Sequence, residues 1–233
     1  MVPPMDRDTF LARVRTAAQA GRAYRVPTQD IPDGVGYVGA RGDVCEHFAR
    51  EVNEVGGRAV VVADDQAARV ELRQLLVEHA AQTALAWQHP VVERIAASLC
   101  AELNIALHQY ESLAHLPAAE QRALILSAGI GITSVELAIA ETGTLLMWSQ
   151  PGQERVASLV PPVHVALVDE AQIVPDLFDA FAVFQQRGLD NLPSNVAFIT
   201  GPSKTGDIEL QLTTGVHGPK HWHVIVIRST PRA

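Results

Sequence analysis

The stretch VHVALVD, residues 163–169, decides the fold class. It is apolar apart from one histidine and the closing aspartate, and a Pro-Pro pair precedes it. Such a run is too short for a helix and does not alternate, so it reads as a strand buried on both faces. RAVVVAD (58–64), TALAW (83–87), LLMWS (145–149), VAFIT (196–200) and HVIVI (223–227) are runs of the same kind, bounded by turn signals. Helical patterns lie between them. Val44–Val55 stops at Gly56-Gly57, and Gln66–Ala80 follows the second run. His89–Leu103 carries Pro90 in its first turn, and Pro117–Ser127 follows. Pro175–Arg187 sets Leu177, Phe178, Phe181 and Phe184 on one side and closes at Gly188. Strands separated by helices predict an α/β protein of three layers, α/β/α.

Ahead of this body, Asp6–Gly21 reads as an amphipathic helix with Phe10, Leu11 and Val14 on one face. Residues 22–41 are rich in Pro and Gly and read as a linker. The expected organisation is an appendage over residues 1–40 and an α/β domain over 41–233.

The bulk numbers narrow the function classes. A chain of 233 residues, 48% hydrophobic and 19% charged, is globular. Its net charge of −8 argues against general nucleic-acid binding, which needs a basic footprint. Cys45 and Cys100 are the two cysteines and no C-x-x-C occurs, so this chain alone builds neither a zinc ribbon nor an iron–sulfur cluster. The start MVPPMDRDTF does not read as a signal peptide, and residues 123–135 are too short to span a bilayer. A cytoplasmic location is expected.

Two stretches carry chemistry. In SAGIGITSVELAIAETGTLL (127–146), Thr133-Ser-Val-Glu136 fits a capping box, which predicts a short helix ending near Gly143. Gly129 and Gly131 would then precede a helix N-terminus able to hold an anion. The G-x-G-x-x-G fingerprint fails at Ser134. Glu141, Thr142, Gly143 and Thr144 either face a pocket, with Glu141 as a catalytic candidate, or satisfy local backbone groups.

In GPSKTGDIELQLTTGVHGP (201–219), Ser203 stands where a phosphate-loop motif needs Gly before the Lys. If VAFIT is a central strand, this loop follows it at the carboxyl edge of the sheet, where ligands usually bind. Lys204 would supply a point charge, Ser203 and Thr205 hydroxyls, and Gly201 close backbone approach. Asp207 and Glu209 could act on protons or pair with Lys204, and a structural corner is the other reading. His217 reads as a pocket hydrogen-bonder, a general base or a surface turn residue, and Gly218 follows it. His221 and His223 share a strand face without an assured third ligand, so no metal site is expected. Arg155 could close over an anion from a neighbouring loop or face solvent.

The run AETGT (140–144), the R-x-x-S-L-V-P run (155–161), TGPSKTGDIE (200–209) and GVHGP (215–219) together resemble the LUD-domain family, in particular its C-type lactate utilization branch. The motifs span 140–219 and a diffuse similarity covers roughly 40–227. The resemblance implies a mixed sheet between helical layers, of the type shared by glucosamine-6-phosphate deaminase, ribose-5-phosphate isomerase and CoA transferases. It also implies service in L-lactate oxidation to pyruvate as a cluster-free accessory subunit beside iron–sulfur partner proteins. The chain itself would hold no cofactor and would bind a small carboxylate or phosphate. A free-standing enzyme on a sugar phosphate or CoA ester is the other reading.

Overall fold

The computed structural model describes residues 6–21, 39–188, 191–206 and 212–228. Two compact units divide the chain, Met1–Val38 and Gly39–Ala233. In the first, α1 (Arg7–Gly21) leaves Phe10 and Val14 exposed. The candidates Asp207 and Glu209 lie outside the described residues, as does most of the 22–41 linker.

In the second unit the apolar runs become strands. They are β1 (Arg58–Val62), β2 (Thr83–Ala86), β3 (Ala106–His108), β4 (Ile130–Thr133), β5 (Leu137–Ile139) and β6 (Thr144–Trp148). After them come β7 (Val163–Asp169), β8 (Ile173–Val174), β9 (Val196–Ile199), β10 (Lys204–Gly206), β11 (Leu212–Thr214) and β12 (His221–Ile227). The larger sheet has the order β1-β12-β7-β4-β2-β3, and every pairing in it is parallel. A smaller sheet, β8-β5-β6-β9, is mixed: β5 pairs β8 in parallel, while β5–β6 and β6–β9 are antiparallel. The mixed character implied by the resemblance therefore lies in the smaller sheet.

Helices flank the larger sheet: α2 (Val44–Glu54), α3 (Asp65–Glu78), α4 (Pro90–Val92), α5 (Ser98–Glu102), α6 (Tyr110–Ala114), α7 (Ala118–Ser127) and α8 (Val156–Leu159), while α9 (Leu177–Arg187) covers the smaller one. Asp43, Asp64 and Asp176 cap α2, α3 and α9 by accepting from backbone N–H groups of the first turn, each contributing about 1 kcal/mol. The single helix expected over 89–103 holds a π-helical turn at Glu93–Ala97 between α4 and α5.

Two expectations fail here. The helix predicted from Thr133 is absent. Ile130–Thr133 is fully buried strand, and the Glu136 N–H donates to the Leu146 carbonyl, starting a β5–β6 hairpin. Burial of Ile130–Thr133 on both faces of the strand, between β2 and β7, outweighs the local capping pattern. With no helix there, Gly129 and Gly131 form no anion site. Gly131 has another role: a Cβ there would stand 1.7 Å from the Ala157 carbonyl, so its hydrogen lets α8 lie directly on β4. The apolar side of α9 is also narrower than expected. Phe184 is buried, whereas Leu177, Phe178 and Phe181 are exposed.

Candidate functional site

The turn Glu141–Thr144 joins β5 to β6. Thr142 and Thr144 share a hydrogen bond of 2.7 Å between their hydroxyls, and Thr144 shares another of 2.7 Å with the Thr200 hydroxyl. The hydroxyls satisfy one another and tie the hairpin to the end of β9. Gly143 has φ +62°, and a Cβ on it would lie 2.5 Å from the Val52 backbone nitrogen of α2. Only glycine fits both conditions. This corner is built for packing on α2.

The loop after β9 does not sit at the carboxyl edge of the larger sheet, because β9 is the edge strand of the smaller sheet. The loop instead meets the amino ends of β7 and β12. The Ser203 N–H donates to the Pro219 carbonyl at 3.0 Å, and the Gly215 N–H donates to the Ser203 carbonyl at 2.8 Å. Between these segments lies a cavity of about 170 Å³. Gly201, Ser203, His217 and Gly218 line it, so four of the sequence candidates converge there. Ser158, His164 and Trp222 complete its polar lining.

Sequence reasoning missed those three because each lies in a helix or strand whose burial shows only in three dimensions. His164 is buried, and its Nε2 stands 2.9 Å from the Thr133 hydroxyl. Burial, and then the nearby His223, push its pKa down to about 3, so it is a neutral imidazole. The Trp222 indole N–H is buried without a hydrogen-bond partner.

The other candidates are elsewhere. The Lys204 ammonium donates to the Val55 carbonyl at 2.7 Å, at the C-terminal end of α2, where a cation suits the helix dipole. Thr205 pairs with Thr213 across β10 and β11. Arg155 lines a separate cavity on the far side of Ser158 and Leu159.

Residues 45–227 match the family described as LUD domain. The chain belongs to the LUD domain family. Relatives of this LUD-domain chain include "Lactate utilization protein C" of Bacillus licheniformis, 39% identical over 102 residues, which are 43% of this chain and 42% of that protein. The protein of the same name from Geobacillus kaustophilus is 32% identical over 185 residues, covering 76% of this chain and 66% of that protein. The chain thus spans under half the length of the first relative. A solved structure of a DUF162 family protein from Deinococcus radiodurans superposes with a TM-score of 0.55 at 20% identity, over 79% of this chain and 96% of that one. That likeness concerns the fold.

Elsewhere in the LUD-domain fold, His79 at the end of α3 approaches His221 and His223. Its Nε2 is 3.0 Å from the His223 Nε2. Burial first, then His79 and Arg58, hold His223 down at about 4, so the contact is a hydrogen bond between neutral rings. Among the described residues no group of His, Cys, Asp and Glu is arranged to hold a metal ion. Cys45 and Cys100 are both fully buried, and burial pushes their thiols up to about 12 and about 11.

Proposed function

We propose that this chain serves lactate utilization as a cluster-free subunit. In this reading it holds a small anion in the cavity lined by Ser203, His217 and Gly218, while iron–sulfur partner proteins take the two electrons released when L-lactate becomes pyruvate. The observation that carries the reading is the family membership together with relatives named lactate utilization protein C. The cysteines agree with it, since two separate buried thiols do not ligate a cluster. The cavity agrees as well: hydroxyl and imidazole groups meet in a space suited to a small ligand and not to a nucleotide.

The test is genetic and biochemical. Deleting the gene should abolish growth on L-lactate but not on pyruvate, and the wild-type gene should restore it. A tagged chain should co-purify with iron–sulfur proteins from lactate-grown cells. Normal growth of the deletion strain on L-lactate would falsify the reading. A sugar phosphate or CoA ester turned over by the isolated chain would replace it with a free-standing enzyme.

A further inference from the structure

A cavity of about 220 Å³ lies at the carboxyl ends of β2 and β3. Open parallel sheets usually hold ligands at this edge. The half of the edge at β7 and β12 is taken up by the ion pairs of Arg94 and Arg228. At β2 and β3 the edge is hollow instead, and Leu85, Leu113, Ile125 and Val156 give the hollow an apolar floor.

Three observations define its chemistry. The first is the sign of its charge. Glu154 lines the cavity, and no Lys, Arg or Asp does. Glu154 is half-buried and forms no ion pair among the described residues. A carboxylate beside apolar surface with no cation is incompletely compensated.

The second observation is that Glu154 is fixed. Its carbonyl accepts from the Trp87 indole N–H at 3.1 Å, and its Oε1 accepts from the Gly152 N–H at 2.9 Å. Its Oε2 accepts no hydrogen bond among the described residues. The third is the rest of the polar lining. The side chains of His108, Tyr110 and Gln121 make no hydrogen bond among the described residues either. An apolar floor, one acidic group held in position and a few free polar groups surround a space with no cation.

We propose that this cavity binds a small apolar monoamine in its ammonium form. The ammonium donates to Glu154 Oε2, and the hydrocarbon body lies on Leu113, Ile125 and Val156. A primary alkylamine, like a lysine side chain, is protonated at neutral pH. A carboxylate or phosphate is a poor match, because Glu154 repels it and no lining cation offsets the repulsion. A neutral alcohol fills the floor but leaves the Glu154 charge unpaired. An apolar cavity of about 150 Å³ takes benzene, so a butyl or benzyl body fits here. The cavity shares no lining residue with the one that Ser203 and His217 form, so the outcome here leaves the anion reading there as it stands.

The test is calorimetric titration of the full-length protein at neutral pH with butylamine, benzylamine, benzyl alcohol and benzoate. Circular dichroism checks that each variant is folded. At least one amine should bind saturably, and benzylamine should bind about ten-fold or more tighter than benzyl alcohol, with benzoate weaker still. Glu154→Gln keeps the acceptor for the Gly152 N–H and the side-chain size. It should weaken the amine by about ten-fold or more and leave benzyl alcohol unchanged. Ile125→Ala removes part of the floor and should weaken amine and alcohol alike, by roughly three- to ten-fold.

No saturable response to either amine would overturn the site. Benzyl alcohol or benzoate binding as tightly as benzylamine would overturn its chemistry. Both results are read on the unaltered protein, so they stand even if a variant fails to fold. Full amine affinity in folded Glu154→Gln would remove Glu154 as the anchor, and full affinity in folded Ile125→Ala would place the amine outside this cavity; either sinks the proposal.

Discussion

The carboxyl edge of the larger sheet and the seam between the smaller sheet and α8 treat their charged groups in opposite ways. At the carboxyl edge, Arg94 bonds Asp65 at 2.5 Å and Asp169 at 2.9 Å. Arg228 there reaches Asp43 at 2.7 Å and Glu46 at 3.1 Å. These pairs join the starts of α2 and α3, the π-turn and the ends of β7 and β12. At the seam, Arg155 is exposed and forms no ion pair among the described residues. Open α/β sheets usually hold ligands at the carboxyl edge. Here that edge carries an electrostatic staple, while the seam carries an arginine with no ion pair among the described residues.

The contrast is broken most severely by a change that destroys the seam itself. Gly131→Ala would drive a methyl group into the Ala157 carbonyl and lift α8 from β4. Such a clash with backbone costs about 3 kcal/mol or more. The expected result is a fall in melting temperature of roughly 6–12 °C, or no folded protein. Calorimetry decides it, and an unchanged transition would mean that α8 does not rest on this strand.

Acid should open the next weakness. His164 and His223 titrate at about 3 and about 4 in the folded chain, below the ordinary histidine value of 6.5. Folding therefore favours their neutral forms. The stability they contribute is complete above about pH 6.5 and is lost as pH falls through the folded values. The size is on the order of 3 kcal/mol for His223, which falls from 6.5 to about 4, and larger for His164, which falls to about 3. Urea unfolding from pH 7 to pH 4 should show this decline, and His223→Gln should flatten it. Arg58 and His221 work against protonation of His223 and Glu78 works for it, so the slope also reports on the strand end they share. An equal slope in His223→Gln would place the acid sensitivity on other groups.

The two regions also differ in how far the sequence revealed them. The core strands β7 and β12 were readable because burial on both faces leaves an unbroken apolar run, and β1, half-buried at the sheet edge, keeps such a run as well. The segment from Ile130 to Ile139 was not, since Thr133–Glu136 carries a local helix signal that long-range pairing with β6 and β7 overrides. β3 escaped notice because it has only three residues. At the site, Gly201, Ser203, His217 and Gly218 were legible because turn formers and polar groups cluster on a loop. Ser158, His164 and Trp222 were not. Nothing in their sequence neighbourhoods distinguishes a cavity wall from core, and the orphan state of an indole N–H exists only once the partners are placed.

Removing the staple should cost less than acid does. Arg94 is 40% exposed and Asp65 45%, so solvent screens the pair. Arg94→Ala should lower stability by about 1 kcal/mol, a shift of roughly 2–4 °C. The loss should shrink at high salt. Arg155→Gln, measured alongside, should leave the melting temperature unchanged, because it has no ion pair among the described residues to lose. Equal losses for the two arginines would erase the distinction between the edges.

The smallest effect is expected at Lys204, the residue that looked most like a ligand anchor. Its ammonium already has a partner in the Val55 carbonyl, where it satisfies a helix end, and it lies outside the lining of the cavity that Ser203 and His217 form. Lys204→Met should therefore cost less than about 1 kcal/mol of stability, since the bond is solvent-exposed, and should leave anion affinity unchanged while Ser203→Ala reduces it. Loss of affinity in folded Lys204→Met would show that the ammonium leaves α2 when the anion arrives. In that case the end of α2 would become a gate coupled to the ligand, and the seam would hold a mobile charge in addition to the fixed one on Arg155.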